Sequence, residues 1–63
     1  MKTFKTILDA RKTIPIARYE MAFSDRDIFE IEGSEKKGYR IAMFNCAPFQ
    51  NKTYTHGSFV AWY

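Results

Sequence analysis

Residues 27–45 read DIFEIEGSEKKGYRIAMFN. In Asp27–Glu32, Phe29 and Ile31 alternate with Ile28, Glu30 and Glu32, and in Gly38–Asn45, Tyr39, Ile41 and Met43 alternate with Arg40, Ala42 and Phe44. Successive strand side chains point to opposite faces, so this period of two predicts a pair of strands. Between them, Gly33–Lys37 is polar and begins with glycine, the residue that accepts positive φ, which makes the pair an antiparallel hairpin. Both arms carry apolar residues on each face, which places them in the middle of a sheet.

Downstream, Cys46–His56 is rich in turn formers and without sustained periodicity, and it reads as an eleven-residue loop. A loop of that length in a small domain points to function. After Gly57, Ser58–Tyr63 reads as a strand with Phe59, Ala61 and Tyr63 on one face and Val60 and Trp62 on the other.

Upstream, Thr3–Lys12 reads as a short helix. Phe4, Ile7 and Leu8 share a face, Thr3 is the expected N-cap, and Arg11 and Lys12 suit the negative end of the helix dipole. Pro15 biases Ile14 toward extended backbone and is expected to lie beyond the helix end. Residues 15–24 admit two readings. A strand puts Ala17, Tyr19, Met21 and Phe23 on one face. A helix capped by Thr13 puts Ile16, Tyr19 and Phe23 together, and Ala, Arg, Glu and Met favour it. Both stand, with the strand preferred. The fold class that follows is α+β: a short N-terminal helix packed on a three- to four-stranded antiparallel sheet, in a single small domain over residues 1–63.

Composition bounds the function. The 63 residues are 46% hydrophobic and 27% charged, with 17% aromatic, the balance of a folded chain rather than a disordered one. A domain of this size buries about 60% of its unfolded surface, which leaves a thin margin of stability. The one cysteine, Cys46, forms no internal disulfide, and with the one histidine, His56, it falls short of a zinc ligand set, so neither metal nor cofactor is expected. Low cysteine content fits a reducing compartment, and Met1–Arg11 lacks the apolar run of a signal peptide. No stretch approaches the roughly 20 apolar residues of a membrane helix. A soluble, cytoplasmic protein with no membrane association is the expectation.

Charge falls in blocks. Residues 1–18 carry a net +4, residues 19–32 a net −4 and residues 33–63 a net +3, for +3 overall. Dedicated nucleic-acid binders are more one-sided.

Few residues offer chemistry. A Cys46–His56 dyad would need a third group to orient it and a cleft to work in, so an inert Cys46 and a solvated His56 are expected. Glu30 and Glu32 share a strand face, where a wet, charge-paired role opposite Arg40 fits better than an acid–base pair. The chain carries no phosphate loop or dinucleotide fingerprint. It is therefore expected to be no enzyme but a protein-binding module, an inhibitor or adaptor of the kind common in phages and mobile elements, acting by occupying the surface of another protein. Its expected contact residues are Trp62, Tyr63, Phe49 and Tyr54, because Trp and Tyr dominate binding hot spots. The terminal strand, apolar on both faces, also invites a homodimer through an edge strand. The alternative is a small nucleic-acid binder using a basic, aromatic hairpin and loop: Lys36, Lys37, Arg40, Lys52 and Tyr54.

Overall fold

A computed structural model describes residues 1–24, 26–48 and 54–63, with backbone alone for 46–48 and 54–57. The element order is α1 (Ile7–Met21), β1 (Ile28–Ser34), β2 (Gly38–Pro48) and β3 (Tyr54–Trp62). The strands form one antiparallel sheet in the order β1-β2-β3, and α1 packs against it. This is the expected α+β arrangement with three strands.

The 27–45 hairpin forms as its alternation predicts, in the register Ile28↔Phe44 through Ser34↔Gly38. Its connection is tighter than expected, a three-residue turn over 35–37 in which the Lys37 N–H donates to Ser34 Oγ at 3.1 Å. Gly33 and Gly38 take φ of +116° and +89°, conformations that L side chains rarely adopt. Only β2 is central. β1 lies at an edge, so its two-faced apolar content does not reflect a mid-sheet position as expected.

The helix differs most from expectation. It starts at Thr6, not Thr3: the Thr6 hydroxyl accepts from the Asp9 N–H at 3.1 Å, filling one of the free donors of the first turn. It then runs through Pro15 to Met21, so residues 16–21 are helical and the strand over Ile16–Phe23 is overturned. Pro15 removes one N–H and leaves the Arg11 carbonyl without its helical donor. That loss falls on the exposed side of the helix, where water can reach the carbonyl. On the inner side, Ala10 and Ala17 are fully buried, flanked by half-buried Thr13, Ile14, Arg18 and Met21. Small alanines let the helix backbone approach the sheet closely, and the tertiary contact outweighs the proline. The Phe4, Ile7 and Leu8 face is accordingly not the buried one: Phe4 is half-buried, while Ile7 and Leu8 are exposed. The inward face, centred on Ala10 and Ala17, lies about a third of a turn away around the helix.

Beyond the helix, Asp27 is buried and ties the chain end to the sheet. Its Oδ2 accepts from the backbone N–H of Phe23 at 2.7 Å and of Ser24 at 3.2 Å, while Arg18 Nη1 donates to its carbonyl at 3.0 Å. At the N-terminus, Phe4 and Tyr39 exchange two backbone bonds of 2.7 Å, and the Lys2 N–H donates to the Tyr63 carbonyl at 2.7 Å. Phe4 thereby pairs with β2 beyond the end of β3, and Lys2 is tied to the chain's last residue.

The expected eleven-residue loop is also shorter than read. The backbone of 46–48 and 54–56 is paired strand, Cys46↔His56, Ala47↔Thr55 and Pro48↔Tyr54. Pro48 and register shifts hide the alternation there, because proline cannot donate to a ladder and shifts break the period of two. Among the described residues, the fully buried large side chains are Ile41 and Met43, both on β2. No helix among the described residues is long and apolar enough to cross a membrane.

Candidate functional site

Alternation along β2 separates two sheet faces. Tyr39, Ile41 and Met43 share one with Phe29, the register partner of Met43. The Arg18 guanidinium of α1 lies 4.9 Å from the Phe29 ring centre, so this is the face beneath the helix. Arg40, Ala42 and Phe44 point the other way, with Ile28, Glu30 and Glu32 beside them on β1. The helix covers none of that second face.

An aromatic cluster occupies it. Phe44 meets Phe59 edge to face, with ring centroids 5.8 Å apart and planes at 76°. Phe59 lies 5.1 Å from Trp62 at 57°. The Arg40 guanidinium sits over the Trp62 ring, 3.9 Å from its centre, a cation–π contact. The floor between them is Ala42, fully buried and opposite Trp62 in the register. A small residue at this position lets the surrounding rings close over the backbone. Phe59 remains 47% exposed at the rim.

Strict alternation would put Phe59 and Trp62 on opposite faces, which was the expectation. A bulge explains why they meet. Met43 pairs with Ala61, yet Phe44 pairs with Phe59, so Val60 is an extra residue on β3. One inserted residue turns every side chain beyond it to the other face. Phe59 crosses over and joins Trp62 and Phe44.

Tyr63 lies on the opposite side, against the helix. Its hydroxyl donates to Glu20 Oε1 at 2.5 Å and accepts from Lys2 Nζ at 3.2 Å, while that ammonium lies 4.5 Å from the ring centre. The hydrogen bond and the electrostatic pull of Tyr63 raise the Lys2 ammonium above its ordinary 10.5, and Glu20 adds a smaller pull. Tyr63 is thus occupied as a tie between the two chain ends and α1.

Of the remaining expected contact residues, Phe49 and Lys52 lie outside the described residues. Tyr54 begins β3, its side chain likewise outside the description. Lys36 and Lys37 are exposed in the hairpin turn, and Arg40 stacks on Trp62. The structure therefore unites Trp62 from the protein-binding set with Arg40 from the nucleic-acid set. It adds Phe44 and Phe59, which the spacing alone could not bring together without the bulge. Glu30 and Glu32 share this face, Glu32 opposite Arg40 in the register as expected.

A cavity of about 320 Å³ at the hairpin end is lined by Met1, Thr3, Gly33, Lys37, Gly38 and Arg40. Among the described residues, no three of His, Cys, Asp and Glu are grouped to hold a metal ion. Cys46 and His56 face each other in the backbone register, with both side chains outside the description. No family model, no curated protein and no solved structure matches this chain.

Proposed function

We propose that this chain is a non-enzymatic protein-binding module, a small inhibitor or adaptor that covers the surface of another protein with the sheet face that points away from α1. The observation that carries the reading is the Phe44–Phe59–Trp62 cluster with Arg40 stacked on the indole. Tryptophan and arginine are the residue types most enriched among binding hot spots, and a stacked pair loses little side-chain freedom on docking. Glu30 and Glu32 rim the same face. They complement a basic or polar protein surface and repel phosphate, which weighs against a nucleic-acid strand lying there.

Capture from a native lysate on immobilised protein, followed by mass spectrometry, identifies the partner. Trp62→Ala is then compared with the double change Lys36→Ala and Lys37→Ala, each first shown to fold. The protein-interface reading expects the tryptophan variant to lose at least about 2 kcal/mol of binding and the lysine pair to lose less than about 1 kcal/mol, with weak salt dependence. The reverse ranking, with affinity collapsing as salt rises, moves the assignment to nucleic acid held by Lys36, Lys37 and Arg40. Cys46→Ser and His56→Ala are expected to bind the partner as the unaltered protein does.

A further inference from the structure

The outward face of α1 carries a second apolar surface, separate from the sheet cluster. Leu8, Ile16, Tyr19 and Phe23 are 56%, 52%, 92% and 81% exposed. At 3.6 residues per turn Leu8, Ile16 and Tyr19 fall on one stripe, opposite the buried Ala10 and Ala17, and Phe23 lies just past the helix end. Exposed Lys12 lies within the stripe, and exposed Glu20 lies on its flank. A tyrosine so fully presented to solvent on an apolar stripe, with an exposed phenylalanine just past the helix end, marks a contact surface.

We propose that this stripe is covered by the same stripe of a second copy, in an antiparallel, two-fold helix pair centred on Ile16. The charge pattern selects this occupant. Lys12 and Glu20 each lie one helical turn from Ile16, on opposite sides of it. A two-fold axis through Ile16 therefore brings Lys12 of one copy level with Tyr19 and Glu20 of the other, and the contact occurs twice by symmetry. Each lysine gains a carboxylate partner and an aromatic face. The helix dipoles also oppose favourably in this arrangement. Layer order across the dimer is sheet, helix, helix, sheet, which leaves both aromatic sheet faces outward. The dimer neither uses nor blocks the surface assigned above to partner binding, so the two assignments stand or fall separately.

Sedimentation equilibrium of the full chain at micromolar concentrations tests the pairing. A concentration-dependent species of twice the 7.4 kDa chain mass is expected. Tyr19→Asp and Ile16→Asp, both at exposed positions, should keep the native circular-dichroism spectrum and weaken self-association by about tenfold or more. The decisive arm uses charge reversal. Lys12→Glu alone and Glu20→Lys alone each place like charges opposite one another and should sediment as monomers. An equimolar mixture restores both cross-copy pairs and should recover the dimer mass. Glu20 also holds Tyr63, so if Glu20→Lys proves unfolded, the two aspartate variants decide the matter. A species of 7.4 kDa at every concentration overturns the proposal. So does a dimer indifferent to Tyr19→Asp and Ile16→Asp, which would instead pair through a strand edge.

Discussion

Gly38→Ala separates two structural costs that fall on a single methyl group. The first is conformational. Gly38 has φ of +89°, where an L side chain crowds its own backbone at a cost of about 1–2 kcal/mol. The second is a collision: a Cβ at Gly38 would lie 2.6 Å from Thr3 Cγ2, with the next neighbour, the Phe4 carbonyl oxygen, at an ordinary 3.6 Å. The Thr3 backbone is held beside Gly38 because the adjacent Phe4 is fastened to Tyr39 by two backbone bonds, so relief must come from rotating the Thr3 side chain out of its rotamer. Thr3→Ser deletes Cγ2 and so removes the collision while leaving the strained φ. Gly38→Ala is expected to lose about 2–3 kcal/mol in all, and Thr3→Ser less than about 0.5 kcal/mol. The double variant should lose only about 1–2 kcal/mol, a favourable coupling near 1 kcal/mol. Urea denaturation of the four proteins measures the cycle. At about 4–8 °C per kcal/mol for a domain of this size, thermal melts should show the double variant several degrees above Gly38→Ala. Gly33→Ala is the control. Its Cβ meets the Gly38 carbonyl oxygen, a backbone atom, so Thr3→Ser should give no relief there. A double variant no more stable than Gly38→Ala refutes the docking of the N-terminal segment on the hairpin.

Three further outcomes test the fold around the site. Pro15→Ala restores an N–H donor to the Arg11 carbonyl and should stabilise by about 2 kcal/mol, the helix-interior penalty less the stiffness that proline gives the unfolded chain; a loss of stability in chemical denaturation would show that α1 does not continue through residue 15. Asp27→Ala leaves the Phe23 and Ser24 N–H groups without their acceptor and should cost about 1–3 kcal/mol, with Asp27→Asn recovering part of it, as read from urea midpoints. The Lys2 ammonium is raised above 10.5, so its contact with Tyr63 contributes fully below that value and is lost as pH climbs through the raised value. Melting temperatures of the unaltered protein and Lys2→Met should therefore differ at pH 8 and converge in strongly alkaline buffer.

How much of this was legible before folding varies by element. The 27–45 hairpin was, because alternation and a glycine near the turn are local signals, but its register was not: a connection over Gly33–Lys37 sets Glu32 against Gly38, whereas the observed turn over 35–37 sets Ser34 there. The charge pairing with Arg40 was read for the Glu30 and Glu32 face, and the tighter turn selects Glu32. The helix was half legible. Residues 7–12 have the period, but Pro15 is a local stop signal, and only the close seating of Ala10 and Ala17 on the sheet overrides it. The inward face was misread for the same reason. Side-chain size suggests that leucine and isoleucine go inside, whereas helix-to-sheet approach here selects alanine.

The composition by itself set how many aromatic and basic side chains a surface could draw on, and one cysteine leaves no internal disulfide, since residue types and counts need no geometry. Which aromatics act together was decided by the tertiary structure alone. Phe59 and Trp62 share a face because Val60 is bulged out of the β2–β3 ladder, and that bulge belongs to the pairing of two strands rather than to either one. Tyr63, a residue of the same type and the next in the chain, is drawn to the other side by Glu20 and Lys2, which lie 43 and 61 positions away in sequence. A period of two can be read within a strand, but where it breaks depends on the neighbouring strand, and no local pattern in residues 58–63 carries that information.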